Sequence, residues 1–423
     1  MKKYFKVALW SLFAMVLYAV LYFSPYKYLI KGIKLTYLQG TNSAHFTDWY
    51  GFDTRIIRNG SKVSTLPKAF DPNIQLSDTL RNMLEETESG SYLVFRNDSL
   101  VYEEYFNGFS DTHHLNSFSM AKTVTTLLVQ KAIELGYIGS WDDKAKKYLP
   151  WLSGPYADSL TLRHLSSMTA GLDWNENYIS PFSITAQAYY TDDIEGVMHG
   201  LGIVEKPGEK WQYQSGSTQL LTFILREAIR TPQPVNPALN MDDTFRTAVM
   251  IEQLKNETAD AVFTEAPLRR KLYANVSEFA SEFIWEPLGM EASAFWSLDR
   301  KTGNELGFCC LNAVSRDFGR LGLWVLNNGN WAGAKIDSSF IGLASKPFKD
   351  NRYGHSFWIS NETPVPFYYF QGLNGQYICI IPSYDMVVVR TGKHIKRMAN
   401  DNLIFTCVRT YVSEAVRLFG DKR

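Results

Sequence analysis

Two short patterns bring hydroxyl, amine and phenol groups to spacings that suit nucleophilic catalysis. Ser119 and Lys122 form an S-x-x-K pattern, and residues three apart on a helix share a face, so the amine can reach the hydroxyl. A lysine that has lost its proton can act as a base toward such a serine. Tyr213 and Ser215 form a Y-x-S pattern, in which a tyrosine held as phenolate beside a lysine can shuttle protons. Together these residues have the types and spacing that nucleophilic catalysis needs.

Neither pattern is rare in this chain, and the neighbouring sequence separates the useful copies from the others. Ser24 also begins an S-x-x-K pattern, but a proline follows it at the edge of an apolar run. Ser119 instead opens an amphipathic stretch with helical periodicity that closes at Gly136. The Y-x-S copy at Tyr213 follows a Pro-Gly turn and precedes a predicted helix over residues 217–229. We therefore place the nucleophile at Ser119.

The composition of the chain excludes several other kinds of chemistry. Its 423 residues carry 43 Lys and Arg against 43 Asp and Glu, so no basic excess is available to bind nucleic acid. No H-E-x-x-H, P-loop or G-x-G-x-x-G motif occurs, and we expect neither a metal nor an organic cofactor. The four cysteines, Cys309, Cys310, Cys379 and Cys407, fit neither a zinc pattern nor a disulfide scaffold, and we expect them to pack in the core.

Strand signals lie near both ends of the chain, whereas the middle shows mostly helix and loop signals. Residues 91–96 and 100–106 predict one β-hairpin, and residues 377–381 and 386–389 predict another. A C-terminal helix follows, with an apolar stripe that ends at Phe419. We therefore predict an α/β fold of the α+β type, with one antiparallel sheet built from both chain ends and flanked by helices, plus a mostly helical lobe. A cleft between the two lobes would hold the site.

We expect three parts along the chain. Residues 1–34 form an N-terminal membrane anchor, residues 35–88 form a tether and peripheral wrap, and residues 89–423 form the catalytic domain. Within the second part, residues 76–86 predict a helix. Within the third, residues 231–272 open with a proline-rich stretch and have the composition of an insertion.

The N-terminal segment has the composition of a membrane-spanning helix. From Val7 to Phe23 only Ser11 is neither apolar nor aromatic, and lysines both precede and follow the run. A cleaved signal peptide is the alternative, but no small-x-small cleavage site follows Phe23. The basic N-terminal tail predicts an uncleaved single-pass anchor with this tail in the cytoplasm. The catalytic domain would then lie outside the cytoplasm, on the periplasmic or extracellular side.

Several separately spaced motifs resemble, in their order along the chain, those of the serine β-lactamase and penicillin-binding superfamily. They are Ser119-x-x-Lys122, RHLSSMTAGL at 163–172, Pro207-Gly208 before Tyr213-x-Ser215, WEPLGM at 285–290 and SRDFGRLG at 315–322. The chain is most similar to the class C β-lactamase-like branch, which includes esterases and 6-aminohexanoate-dimer hydrolases. The resemblance covers about residues 89–420. It implies Ser119 as the nucleophile, with Lys122 and Tyr213 handling its proton and that of the leaving group.

The third motif of the superfamily, K-T-G or H-x-G, lies on a strand at the edge of the cleft. Residues 301–303 spell K-T-G, but no strand signal follows them, and we expect a surface turn there. Residues 371–376, just before the last hairpin, resemble the G-x-x-G-Q form of the dimer-hydrolase branch instead. The resemblance implies that the amides of Leu373 and Ser119 form the oxyanion hole, and that Gly372 lets substrate approach the strand backbone.

The remaining expected substrate contacts are Ser215, Gln376 and two tyrosines of the loop that would roof the cleft, Tyr178 and Tyr190. The third motif lacks a lysine or histidine, so carboxylate-bearing, penicillin-type substrates are a poorer match. We interpret the chain as a membrane-anchored serine hydrolase for a small-molecule or peptide-like ester or amide. A D,D-peptidase or β-lactamase is the alternative within the fold, and a non-catalytic binding or sensing module is the alternative outside enzymes.

Overall fold

The structure is a computed structural model, which describes residues 2–41, 43–232, 270–361, 363–394 and 406–420. Most of the predicted insertion, residues 231–272, lies outside the described residues. The strands are β1 Thr54–Ile57, β2 Ser89–Arg96, β3 Ser99–Tyr105, β4 Leu115–Asn116, β5 Ala294–Ser297, β6 Leu311–Ala313, β7 Asn330–Trp331, β8 Ala334–Lys335, β9 Trp358–Ser360, β10 Phe367–Gly372, β11 Gln376–Ile381 and β12 Met386–Gly392. The helices are α1 Lys2–Tyr22, α2 Tyr28–Leu35, α3 Asp78–Glu86, α4 Ala121–Glu134, α5 Leu162–Ser166, α6 Ile184–Tyr190, α7 Ile194–His199, α8 Ser215–Arg230, α9 Val276–Ala280, α10 Ser315–Leu326, α11 Ser338–Ala344 and α12 Thr406–Phe419.

The main sheet is antiparallel and joins the two ends of the chain. Its order is β3-β2-β12-β11-β10-β9, with both predicted hairpins present as β2–β3 and β11–β12. The central pairing of β2 with β12 places the N-terminal hairpin against the C-terminal one. Side chains alternate across β2, so that Leu93 and Phe95 enter one core cluster while Tyr92 and Val94 enter the other. The predicted fold class is therefore confirmed.

Helices cover both faces of this sheet. On one face α10 approaches closely because two of its residues are glycines: a Cβ at Gly319 would lie 2.1 Å from the Phe95 ring, and one at Gly322 would lie 2.5 Å from a Val387 methyl group. On the other face α3 and α12 bury their apolar stripes. Full burial of each leucine- or valine-sized side chain contributes about 1.5–3 kcal/mol, so this two-sided core holds the sheet rigid beside the site.

The second lobe combines helices with a smaller sheet that the sequence did not predict. Helices α4 and α8 pack together in it. The smaller sheet has the order β1-β5-β6-β4, and β1 pairs with β5 from Thr54↔Ser297 to Ile57↔Ala294. Residues 35–88 thus contribute a strand to the lobe and do more than wrap around it. Strand β4 ends at Asn116, so this sheet helps to fix the turn that carries Ser119.

Helix α1 is apolar and exposed along its length. Its residues Lys3–Tyr22 have a mean hydropathy of 1.8, and none of the helix packs inside the protein. By length and composition the helix can cross a membrane, although a signal sequence would satisfy the same criteria. A short connector leads to α2, which packs against α6 beside the catalytic cleft.

Candidate active site

Ser119 lies in a tight turn directly before α4. The turn spans Phe118–Met120, and Phe118 has a φ of +44°, in the left-handed region that non-glycine residues rarely adopt. Asn116 Oδ1 accepts a hydrogen bond from the Phe118 amide at 2.8 Å, which holds this conformation. The buried Asp48 in turn accepts a hydrogen bond from the Asn116 amide at 3.3 Å. Backbone strain held by such a network is typical of a functional site.

Lys122 points its amine at Ser119 from the first turn of α4. Its Nζ lies 2.9 Å from Ser119 Oγ, 3.0 Å from Ser215 Oγ and 2.8 Å from the carbonyl oxygen of Phe308. Burial lowers the pKa of Lys122 to about 8, although the negative charge of Glu176 opposes this shift. A substantial fraction of the amine is therefore neutral near physiological pH, as a general base must be.

Glu176 is a site residue that the sequence patterns did not reveal. Its carboxylate accepts hydrogen bonds from the Ser215 hydroxyl at 2.7 Å and from the Ser215 amide at 2.7 Å. It also accepts from Trp174 Nε1 and from the Tyr178 hydroxyl, both at 2.6 Å. Because the proton of Ser215 goes to Glu176, the Ser215 oxygen can only accept from Lys122. No spacing rule links residue 176 to the catalytic motifs, so only the fold brings it here.

Tyr213 stands on the other side of the nucleophile. Its ring packs against Tyr353 and Trp358, with centroid distances of 6.0 and 5.4 Å. Lys122 Nζ lies 5.0 Å from the centroid of the Tyr213 ring. Burial of the phenol raises its pKa, and the charge of Glu176 raises it further, whereas a hydrogen bond with Ser119 lowers it. The net effect raises the pKa of Tyr213, which favours the protonated phenol in the resting site.

Both catalytic patterns open on one cavity with a volume of about 250 Å³. Five of the predicted site residues line it, namely Ser119, Ser215, Leu373, Tyr178 and Tyr190. Helix α2 forms a further wall, which was not predicted from the sequence: a Cβ at Gly32 would lie 3.3 Å from the Tyr190 ring. The chain segment that follows α1 therefore belongs to the site.

Gly372 and Gln376 both make close contacts within the protein. A Cβ at Gly372 would lie 2.1 Å from the carbonyl oxygen of Ser117, so a glycine is needed there for the turn that carries Ser119 to pack against β10. The buried Gln376 donates to the carbonyl oxygens of Leu373 and Gly392, at 3.1 and 2.6 Å, and accepts from the Gly392 amide at 3.0 Å. It fixes the turn after β10 to β12, and its buried side chain does not line the cavity.

We predict that Gly372→Ala lowers both stability and activity. The new Cβ would force the end of β10 away from Ser117, displacing the turn that carries Ser119. Overpacking of this kind costs about 1–3 kcal/mol, and we expect kcat/KM to fall roughly tenfold or more. Chemical unfolding and ester hydrolysis measure the two effects.

Gly342→Ala is the matched control for this substitution. It lies within α11, and a Cβ there would meet nothing within 4 Å, so helix propensity should stabilise the variant by about 0.5–1 kcal/mol. Lys301→Ala is a second control, since the K-T-G at 301–303 lies in an exposed turn between β5 and β6, as expected. Wild-type stability and activity in Gly372→Ala would contradict the close contact between Gly372 and the Ser117 carbonyl.

The adjacent cysteines form a feature of the cavity wall. Cys309 and Cys310 are both buried, as expected, but they are joined to each other by a disulfide bond. Cys309 lines the cavity, and the preceding residue, Phe308, supplies the carbonyl that accepts from Lys122. Among the described residues, no group of His, Cys, Asp and Glu is arranged to hold a metal ion.

Known proteins share this arrangement of chain and sheet. The family described as Beta-lactamase matches residues 76–392. The 6-aminohexanoate-dimer hydrolase of Paenarthrobacter ureafaciens is 31% identical over 105 residues, which span 25% of this chain and only 26% of that protein.

Solved structures extend the likeness to nearly the whole chain. A Bacillus anthracis protein assigned as a 6-aminohexanoate-dimer hydrolase has a TM-score of 0.65 at 20% identity, with 93% of each chain covered. A Bacteroides dorei protein assigned as a β-lactamase has a TM-score of 0.56 at 16% identity, covering 81% of this chain and 99% of its own. At these identities the structures show a common fold.

Proposed function

Because the chain belongs to the beta-lactamase family and has its serine-hydrolase fold, we propose that it is a membrane-anchored hydrolase which cleaves an ester or amide through an acyl-enzyme on Ser119. One observation carries this proposal above the others: a lysine amine with a pKa of about 8 lies 2.9 Å from the Ser119 hydroxyl. Nucleophile and base within hydrogen-bond distance are the minimum that acyl transfer requires.

The hydrogen bonds around Lys122 direct its lone pair toward the nucleophile. A neutral amine has two N–H groups and one lone pair. The carbonyl of Phe308 can only accept, and Ser215 must accept because its own proton is donated to Glu176. The remaining direction faces Ser119, whose proton the lone pair can take.

Acylation then proceeds in a balanced sequence. Ser119 Oγ attacks the carbonyl carbon as its proton passes to Lys122, and the oxyanion accepts hydrogen bonds from the amides of Ser119 and Leu373. The C–O or C–N bond breaks, and the leaving group takes a proton from the Tyr213 phenol, which Lys122 restores. Water attacks the acyl-enzyme with the same groups as base, releasing the carboxylic acid and free Ser119.

Two alternatives use the same fold. A D,D-peptidase or β-lactamase would need a cation to bind the substrate carboxylate, and no Lys, Arg or His lines the cavity among the described residues. The relatives named as 6-aminohexanoate-dimer hydrolases support the amidase form of our proposal. A non-catalytic sensing module would have no need to keep a lysine with a lowered pKa beside Ser119. We propose no metal or organic cofactor and no nucleic-acid partner.

The proposed location follows from α1. We propose that this helix spans the membrane once, with its basic tail in the cytoplasm and the catalytic domain on the periplasmic or extracellular side. Its exposure in the fold supports this assignment, because a soluble core helix of this composition would be buried.

The test uses the full chain in detergent and a panel of chromogenic substrates. The panel contains p-nitrophenyl esters, p-nitroanilides of D-amino acids and a chromogenic cephalosporin, and a fluorophosphonate probe reports the nucleophile. We expect turnover of esters or amides, little turnover of the cephalosporin, and probe attached to Ser119. Absence of both turnover and labelling would support the sensing module instead.

A further inference from the structure

Lys122 and Glu176 lie behind the wall of the Ser119 cavity, in contact with Ser119 and Ser215. Among the described residues that line it, none is Asp, Glu, Lys, Arg or His. Away from Lys122, a carboxylate or ammonium group on the substrate would lose its hydration along this wall without gaining an ionic partner. The part of the substrate next to the scissile bond is therefore expected to be neutral and apolar.

Large apolar side chains continue from this wall to the protein surface. We call Ile33, Tyr37, Leu38, Ile179 and Phe182 the apolar rim. Ile179 is 95% exposed, Leu38 73% and Phe182 66%, although soluble surfaces rarely group such side chains. Three of the five, Ile33, Tyr37 and Ile179, also line the cavity, so this part of the rim is continuous with the cavity wall.

The covalent structure keeps this rim close to the end of α1. Helix α1 ends at Tyr22 and α2 begins at Tyr28, so the five connecting residues can span at most about 18 Å. One contact also attaches this region to the rim, since the Tyr26 ring lies 5.8 Å from the Phe182 ring. Lys27 forms an ion pair with Asp192, which follows α6. If α1 spans a bilayer, the mouth of the cavity must lie at its surface.

Resting on the proposed function, we propose that the substrate is a membrane-resident long-chain acyl ester or amide, and that its chain passes from the bilayer over the apolar rim into the Ser119 cavity. Ser119 takes the acyl group, the ester or amide bond breaks, and the alcohol or amine leaves with the proton. Water then releases a fatty acid. No co-reactant besides water is required.

The experiment compares a short and a long acyl chain on the full protein in phosphatidylcholine vesicles. The substrates are p-nitrophenyl acetate and p-nitrophenyl dodecanoate, and the readout is the ratio of their kcat/KM values. We expect the wild type to favour dodecanoate, and Phe182→Asp and Ile179→Asp each to lower the ratio roughly tenfold, because an aspartate at either position removes an apolar contact with the acyl chain.

Val204→Asp is the matched control. Val204 is a 45% exposed apolar residue that does not line the cavity, so its replacement should leave both rates unchanged. If acetate is hydrolysed, but the ratio is near one and the rim variants do not change it, the lipid proposal is overturned while the hydrolase remains. If neither ester is hydrolysed and a fluorophosphonate does not label Ser119, the proposed function itself fails.

Discussion

Ser119→Ala is expected to lower kcat/KM for the best ester roughly 10⁴-fold or more and to abolish fluorophosphonate labelling. In the proposed mechanism Ser119 Oγ forms the acyl bond, and the alanine leaves Lys122 without the hydroxyl that it contacts. In other serine hydrolases loss of the nucleophile costs this much, because the remaining groups contribute only binding and oxyanion stabilisation. Rate measurements and mass spectrometry of the labelled peptide test it.

Ser24→Ala is the control for this experiment, since Ser24 begins the other S-x-x-K pattern. Its hydroxyl donates to the Leu21 carbonyl at 2.9 Å, at the end of α1, and it does not line the cavity. We expect wild-type labelling and kinetics in this variant. Wild-type labelling of Ser119→Ala would refute the nucleophile assignment.

Activity is expected to follow the deprotonation of Lys122. The pKa of this amine is about 8, below its usual value of 10.5, and only the neutral amine can accept the Ser119 proton. The kcat/KM should therefore rise about tenfold per pH unit below pH 8 and level off above it. Lys122→Met should lower kcat/KM by about 10²–10⁴-fold and remove this rising limb.

Glu176→Gln tests Lys122 through the charge that raises its pKa. The negative charge of Glu176 raises the pKa of Lys122, so its removal should move the rising limb to lower pH. It should also lower the plateau, because Glu176 orients the Ser215 hydroxyl that binds Lys122. A limb that stays at the wild-type pH in Glu176→Gln would show that another group controls the rate.

Local sequence was sufficient for the parts of the fold that local chemistry determines. The two hairpins combine alternating or continuous apolar strands with short polar turns, and the sheet pairs them as predicted. The predicted helices at 76–86 and 217–229 occur as α3 and α8. Ser119 and Lys122 could be found because one helical turn connects them.

Contacts between distant segments could not be predicted in this way. Glu176 meets Ser215, and α2 reaches the cavity, only because the fold brings separate parts of the chain together. Gly372 was recognised from its motif, but nothing in the pattern shows that the Ser117 carbonyl lies where a Cβ would stand. Side-chain types predict chemistry, whereas distances depend on packing.

The oxidation state of the bond between Cys309 and Cys310 should report the redox environment of the compartment that holds the domain. The cytosol keeps accessible thiols reduced, whereas periplasmic and extracellular proteins retain their disulfides. After acid trapping and denaturation, alkylation should miss residues 309 and 310 in protein from an oxidising side and modify both in protein from the cytosol. Cys379, a buried thiol, should be alkylated in both cases and so provides an internal standard. One mass spectrum of protein from intact cells therefore reads out the topology of α1 without a reporter fusion.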